Sequence, residues 1–317
     1  MRIGGPARFF VSVKSEEELV AAIRSAEAAG LKWTVVGEGS NLVAADKGFE
    51  GVVIQNKIEK FELPPRLAGA PAKRATSSLI KGGERGSSVM VGGGNNLLKF
   101  IFKLNRLGLS GMEKMAGIPG TVGGAVYGCA GAYGQEIKDR LVKARVFDGK
   151  KFRWISKARC GFGYRHSAFK HKKNRIITAA VFELEKGAKG LMGTSKGIIK
   201  LREKKYPPGL RCPGSFFANI KLADLPVRTR RPFTKKIPQD KIMFGKVPAG
   251  YLLDEIGAKG MRQGGIRVAS HHGNLIYNPN GGSARDVEKL ARRLKSRVKK
   301  KFGIMIEEEV QYLRSTN

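Results

Sequence analysis

The chain has 317 residues, a mass of 34.5 kDa, and 41% hydrophobic, 8% aromatic and 27% charged residues. This globular mixture excludes wholesale disorder and leads to an expectation of one large or two to three smaller domains. Sixty Lys and Arg against 26 Asp and Glu give +34 at pH 7, a field that attracts polyanions without naming one.

No apolar run approaches the roughly 18–20 residues of a membrane span. The opening, MRIGGPARFFVSV, lacks the pattern of a secretory signal. A soluble cytoplasmic protein without membrane insertion is expected, and a monomer. Cys129, Cys160 and Cys212 are far apart, and none forms a C-x-x-C pair. His166, His171, His271 and His272 show no ligand spacing. No disulfide framework and no metal site are therefore expected. The charge leaves three readings open: nucleic-acid or ribosome binding, an enzyme with anionic ligands, or a basic bias of the whole proteome. Its spread along the chain favours the last.

Residues 8–13 read as a strand. Ser15 then opens a helix, with Glu18 at the capping-box position and Gly30 at its end. Leu19, Ala22, Ile23 and Ala26 recur at helical spacing and face a core. Residues 33–36 and 51–54 read as strands. The Pro-, Gly- and Ser-rich segment 63–88 reads as a loop or insertion, with order resuming at Val89. Residues 96–107 read as a helix with Leu97, Phe100, Ile101 and Leu104 inward. Residues 142–147 and 176–185 read as strands. A basic, glycine-containing connection covers 186–205, and 250–257 reads as a short helix. Ser283 caps a last helix reaching about Lys301. Its inner face is Val287, Leu290, Ala291, Leu294 and Val298, and its outer face carries Arg292, Arg293, Arg297 and Lys300.

Two glycine-rich segments carry the chemistry. VGEGSNL (36–42) begins like a dinucleotide fingerprint, but Leu42 stands where the third glycine is needed. The loop runs into another strand, so a Rossmann site is a poor reading. A turn that brings backbone amides to a phosphate, or an ordinary turn, stays open. GIPGTVGGAVYGCAGAYG (117–134) holds seven glycines and no lysine, so it is not a P-loop. Such density suits either backbone approach to a pyrophosphate and a flat ring, or a tightly packed corner between layers.

These segments resemble the UDP-N-acetylenolpyruvoylglucosamine reductase family. The likeness runs in order through RIGGPARFF (2–10), VGEGSNLV (36–43), AGIPGTVGGAVYGCAGAYGQEI (116–137), CGFGYRHSAFK (160–170), CPGSFFAN (212–219), AGYLLDEIGAKG (249–260) and FGIMIEEEV (302–310). The resemblance implies an α+β fold. It has a two-lobed FAD-binding module of the vanillyl-alcohol-oxidase (PCMH) type and a C-terminal α+β substrate-binding domain. The implied limits are 1–56 for the first lobe, 57–204 for the second and 205–303 for the substrate domain, with a strand in 304–317 returning to the first lobe.

The resemblance also implies FAD as cofactor, NADPH as co-substrate and UDP-N-acetylglucosamine enolpyruvate as substrate. Arg165 matches the family's catalytic arginine, Ser215 its proton donor and Glu309 its catalytic glutamate, with Glu307 as second choice. Strand alternation sets Glu308 opposite both. Gly37, Gly39, Ser40, Asn41 and Leu42 are implied at the cofactor, as are Gly117, Pro119, Gly120, Thr121, Gly123, Gly124, Ala125, Gly131 and Tyr133. Tyr164, Asn219 and Lys259 are implied at the substrate. Four positions depart from the family pattern: Glu38 for glycine, Cys129 for asparagine, Ala218 for lysine and Tyr251 for tryptophan. Glu38 would bring a carboxylate near a pyrophosphate, so its side chain is expected to turn away.

Overall fold

A computed structural model describes residues 1–63, 86–171 and 174–314. Most of the expected loop 63–88 lies outside the described residues. Its last part does not: strand Gly86–Gly92 begins three residues before Val89. By internal contacts the chain forms two compact units. One comprises Met1–Arg8, Ser40–Gly51 and Glu203–Asn317; the other comprises Phe9–Gly39 and Val52–Arg202. Residues 1–56 are thus shared between them.

The unit built from Phe9–Gly39 and Val52–Arg202 holds most of a sheet with Phe49–Asn56 between Ala7–Val13 and Lys32–Val36. Helix Glu16–Ala28 buries Leu19, Ile23 and Ala26 in this region, as its spacing predicts, and Ser15 Oγ accepts from the Glu18 N–H. A second, antiparallel sheet runs in the order Phe152–Ser156, Leu141–Phe147, Ile176–Lys186, Gly86–Gly92 and Phe61–Glu62. Its central strand Ile176–Lys186 is buried along most of its length, hence its near-continuous apolar run. Helix Leu97–Arg106 contributes Leu97, Phe100, Ile101 and Leu104 to the same core.

Residues 186–205 are not simply a connection: helix Leu191–Lys205 spans most of them. Gly193 and Gly197 lie inside it, and each lowers intrinsic helix propensity by about 1 kcal/mol relative to Ala. The helix docks with Leu191 buried and Ile199 packed against the core, and with a polar contact between them. The fully buried Ser195 hydroxyl donates to Glu113 O at 3.0 Å and accepts from Asn105 Nδ2 at 2.8 Å.

The other unit is organised on helix Ala284–Phe302. Val287, Leu290, Ala291, Leu294 and Val298 are buried against Phe216, Phe217, Phe233, Leu252 and Ile266. Ser283 and Asp286 form a reciprocal capping box, and Gly303 ends the helix in the left-handed region at φ +77°. Asp46, remote in sequence, accepts the Ala284 and Arg285 N–H groups at 2.6 and 3.0 Å. Its carboxylate therefore offsets the positive end of the helix dipole. The loop after Gly39 does run into a strand, Leu42–Ala44, which pairs in parallel with Gln311–Leu313. Among the described residues the C-terminal strand covers those three.

Candidate active site

The two glycine-rich turns are packed together where Gly37 meets Thr121. A Cβ on Gly37 would fall 2.5 Å from Thr121 Oγ1, so a side chain there would wedge the turns apart. Thr121 Oγ1 also accepts from the Gly124 N–H at 3.1 Å and caps helix Val122–Gly128. The next amides are also occupied: Val122 donates to Asn95 O at 2.9 Å, Gly123 to Gly93 O at 2.8 Å and Ala125 to Thr121 O at 2.9 Å. A Cβ on Gly123 would sit 2.9 Å from Gly93 O. The tightly packed corner is thus realised at Gly37 and Gly123. Glu38 turns onto Asn96, whose Nδ2 donates to its Oε1 at 2.8 Å.

Cys129 ends this helix at φ +46°, a conformation tolerated by Gly or Asn better than by other residues. Burial pushes its thiol up to about 11. Arg165 is fastened to the same turn. Its Nη1 donates to Cys129 O at 3.2 Å and its Nη2 to Gly131 O at 2.6 Å. Gly163 and His166 close a loop by exchanging backbone hydrogen bonds of 3.0 and 3.2 Å, with Tyr164 and Arg165 at its tip. There Arg165 has φ +53°, where glycine or asparagine is favoured. Lys170 Nζ donates to Arg165 O at 2.7 Å, and Ser167 Oγ donates to Tyr127 O at 2.6 Å. A strained residue with its charge and its carbonyl both held is a positioned cation. The guanidinium also lies 5.4 Å from the Tyr164 ring centre.

The unit containing Ser215 makes a second cluster. Gly214, at φ +90°, turns the chain into Ser215. The Ser215 hydroxyl lies 2.7 Å from the Tyr206 hydroxyl. The backbone beyond it is held from two sides. On one side Phe216 N–H donates to Asn274 O at 3.1 Å, and Asn274 exchanges two bonds with Phe217. On the other, Glu309 N–H donates to Phe216 O at 2.8 Å and Ala218 N–H donates to Glu307 O at 2.9 Å.

The candidates Ser215 and Glu309 are thereby brought onto neighbouring backbone. Asn41 joins them, its Nδ2 donating to Glu309 O at 3.0 Å. Glu308 faces Lys295, 3.2 Å away, and the Tyr312 hydroxyl. Burial and the Glu308 carboxylate push that phenol far up. Asn219 Oδ1 accepts from the Ala249 N–H at 3.1 Å, and Lys259 pairs with Asp254 at 3.1 Å.

Two family models match the chain: "FAD binding domain" over residues 7–151, and "UDP-N-acetylenolpyruvoylglucosamine reductase, C-terminal domain" over 206–313. The chain is 42% identical over 312 residues to the UDP-N-acetylenolpyruvoylglucosamine reductase of Solibacter usitatus, covering 98% of this chain and 92% of that one. The chain belongs to the UDP-N-acetylenolpyruvoylglucosamine reductase family.

The Bacillus subtilis reductase is 32% identical, with 99% of this chain and 90% of that one covered. The crystal structure of the Thermus caldophilus reductase superposes with a TM-score of 0.66 at 28% identity, covering 96% of this chain and 92% of that one. An FAD-binding module followed by the reductase family's C-terminal domain, in a mixed α+β fold, agrees with the expected class.

Sequence reading missed Tyr206, whose hydroxyl meets that of the serine, and Asn274, which holds the backbone just beyond it. Asn274 is one polar residue among many in a loop and carries no motif. Tyr206 stands nine positions before Ser215, a separation fitting no helix or strand period, so only the folded chain reveals the pair. The triplet Gly92–Gly94 was also passed over. There a Cβ would meet Ile58 O at 2.1 Å, Ile177 O at 2.5 Å or Ile58 N at 2.4 Å.

Proposed function

We propose that this protein reduces UDP-N-acetylglucosamine enolpyruvate to UDP-N-acetylmuramate, with FAD as cofactor and NADPH as reductant, in peptidoglycan synthesis. The observation that carries the reading is the Ser215 hydroxyl, fixed 2.7 Å from Tyr206 on backbone held from both sides, within a chain 42% identical to a named reductase. Nucleic-acid or ribosome binding, the alternative suggested by charge, finds no support in the matched families.

The packed turns fit a pyrophosphate: they are rich in main-chain amides, lack lysine, and have Glu38 engaged by Asn96. We assign Gly37, Gly39, Ser40, Asn41 and Leu42 to FAD binding, together with Gly117, Pro119, Gly120, Thr121, Gly131 and Tyr133. Gly123, Gly124 and Ala125 hold the corner in shape, since their N–H groups already serve Gly93 and Thr121. Bound FAD would supply the hydride-transfer chemistry linking NADPH to the enol ether.

Hydride arrival at the methylene carbon of the enol ether leaves negative charge on the neighbouring carbon and its carboxylate. Arg165 stabilises that carboxylate with a cation that cannot lose its proton. Ser215 holds the proton that quenches the carbon, as general acid. Glu309 steadies the enol form of the carboxylate, and Tyr164, Asn219 and Lys259 orient the substrate. The assigned limits are 1–56 and 57–204 for the two FAD-binding lobes and 205–303 for the substrate domain, with 304–317 returning to the first lobe. The enzyme acts as a cytoplasmic monomer; among the described residues no helix is long and apolar enough to cross a membrane.

The test is anaerobic. Purified protein should carry a yellow chromophore bleached by NADPH and restored by the enolpyruvyl UDP-sugar. A flavin that NADPH reduces but this sugar leaves reduced would overturn the substrate assignment. Protein that cannot retain FAD would overturn the cofactor.

A further inference from the structure

We propose that Tyr206 positions Ser215 and supplies the proton that replaces the one the serine gives away. The inference rests on Ser215 being the proton donor. The two hydroxyl oxygens are 2.7 Å apart, and either can donate. A serine hydroxyl has one hydrogen. If Ser215 gives it to Tyr206, none is left to aim at a substrate carbon. If Tyr206 donates, the serine hydrogen is free to point elsewhere while Oγ is held in place. A phenol is also the more acidic of the two groups in general, so it is the natural donor of the pair.

An aliphatic alcohol is a poor general acid because the alkoxide it leaves is a strong base. A phenol hydrogen already aimed at Oγ removes that obstacle. As the Ser215 O–H bond breaks and the new C–H bond forms, the Tyr206 O–H hydrogen passes to Ser215 Oγ. The serine ends neutral and the negative charge rests on the phenol oxygen. No electrons beyond the substrate's own pair take part. Lys205 Nζ stands 5.0 Å from the Tyr206 ring centre, a cation close to where that charge develops. Solvent then returns the proton, because Tyr206 is only half-buried. His271 Nε2, 3.0 Å from Lys205 O, helps to fix this stretch of backbone.

The experiment uses the full FAD-loaded chain and follows the two half-reactions separately. Tyr206→Phe should retain flavin and be reduced by NADPH at the normal rate. Its reoxidation by the enolpyruvyl UDP-sugar should slow about ten- to hundredfold. Added to Ser215→Ala, the same change should cost nothing more, because the phenol acts only through the serine. In the unmodified enzyme the reoxidation rate should depend quadratically on the deuterium fraction of the solvent, since two hydrogens move together. That measurement stands whether or not a variant folds.

A linear dependence overturns the relay, as does a Tyr206→Phe effect that persists in full without the serine. Normal reoxidation by Tyr206→Phe beside a slow Ser215→Ala overturns the role of Tyr206 alone. Normal reoxidation by Ser215→Ala overturns the serine assignment itself.

Discussion

Asn274 completes the Phe217 backbone as a neighbouring strand would: its Oδ1 accepts the Phe217 N–H at 2.8 Å, and its Nδ2 donates to Phe217 O at 2.8 Å. The side chain is 3% exposed, so losing it strands two backbone groups away from water. Each unsatisfied buried group costs about 1–3 kcal/mol. Asn274→Ala should therefore lower unfolding free energy by about 2–4 kcal/mol, read from urea denaturation. Asn274→Asp keeps the acceptor, loses the donor and buries a charge, and should be no better. A loss under 1 kcal/mol for Asn274→Ala would mean that the Phe217 backbone finds other partners.

Helix Leu191–Lys205 offers a change in the opposite direction. A Cβ built on Gly193 or Gly197 meets nothing within 4 Å. Both residues lie in the helix interior without left-handed backbone. Alanine would restrict the unfolded chain and favour the helix. Gly193→Ala and Gly197→Ala should each stabilise by about 0.5–1 kcal/mol, and the pair nearly additively, by thermal or chemical denaturation. Destabilisation by either would show that these glycines serve something other than the helix.

These cases mark what a single sequence discloses. Ser15, Leu19 and Ile23, or Ser283, Val287 and Leu290, announce their helices because cap and apolar period agree. The 191–205 helix has neither signal; its anchor, Ser195 against Asn105 and Glu113, is a tertiary contact between polar groups. At the candidate site Ser215 and Arg165 were legible through their motifs. Tyr206, Asn274 and Asp46 act across chain separations that leave no periodic trace. The glycine block was legible as a place but not in its detail, since only the folded chain shows that the Gly123 amide serves Gly93.

His272 ties the Asn274 loop to pH. Its Nδ1 accepts the Asn274 N–H at 3.0 Å, which requires the neutral ring with its hydrogen on Nε2. Burial, then the Lys205 cation, lowers its pKa to about 4; His271 and Lys259 act in the same direction, and Asp254 opposes them. In the unfolded chain a histidine binds its proton near 6.5, so between pH 6.5 and about 4 the unfolded state holds more protons than the folded one. The His272 contribution is therefore complete above pH 6.5 and falls as the pH drops toward 4. Because the ring is partly open to solvent, we expect about 1–2 kcal/mol, below the full linkage value. His272→Asn keeps an acceptor for the N–H two residues on and removes the titration. The stability gap between wild type and variant should shift by that amount between pH 7 and pH 4.5. Parallel curves would disprove the coupling.

Arg165 poses the sharpest test of the cation. It sits at φ +53°, which costs about 1–2 kcal/mol for a residue with a Cβ. Its guanidinium holds two carbonyls, Cys129 O and Gly131 O, at the end of the glycine block. Glycine at this position relieves the backbone but loses both charge-assisted bonds, so stability should change by no more than about 1–2 kcal/mol. Lysine keeps the charge and the strain but cannot bridge two carbonyls with a planar fork. If the fork positions the cation for a substrate carboxylate, both variants should retain FAD and be reduced by NADPH at near-normal rates. Reoxidation by the enolpyruvyl UDP-sugar should fall at least tenfold with lysine and further, to roughly 10²–10³-fold, with glycine, in the range for removing one charge-stabilising donor. Saturating substrate should not restore the rate, because the interaction strengthens only as charge develops on the carboxylate. Normal reoxidation with lysine would reduce Arg165 to a clamp on the glycine block. Loss of flavin with glycine would point to the same role, since the Cys129 turn would then depend on the two bonds more than the substrate does.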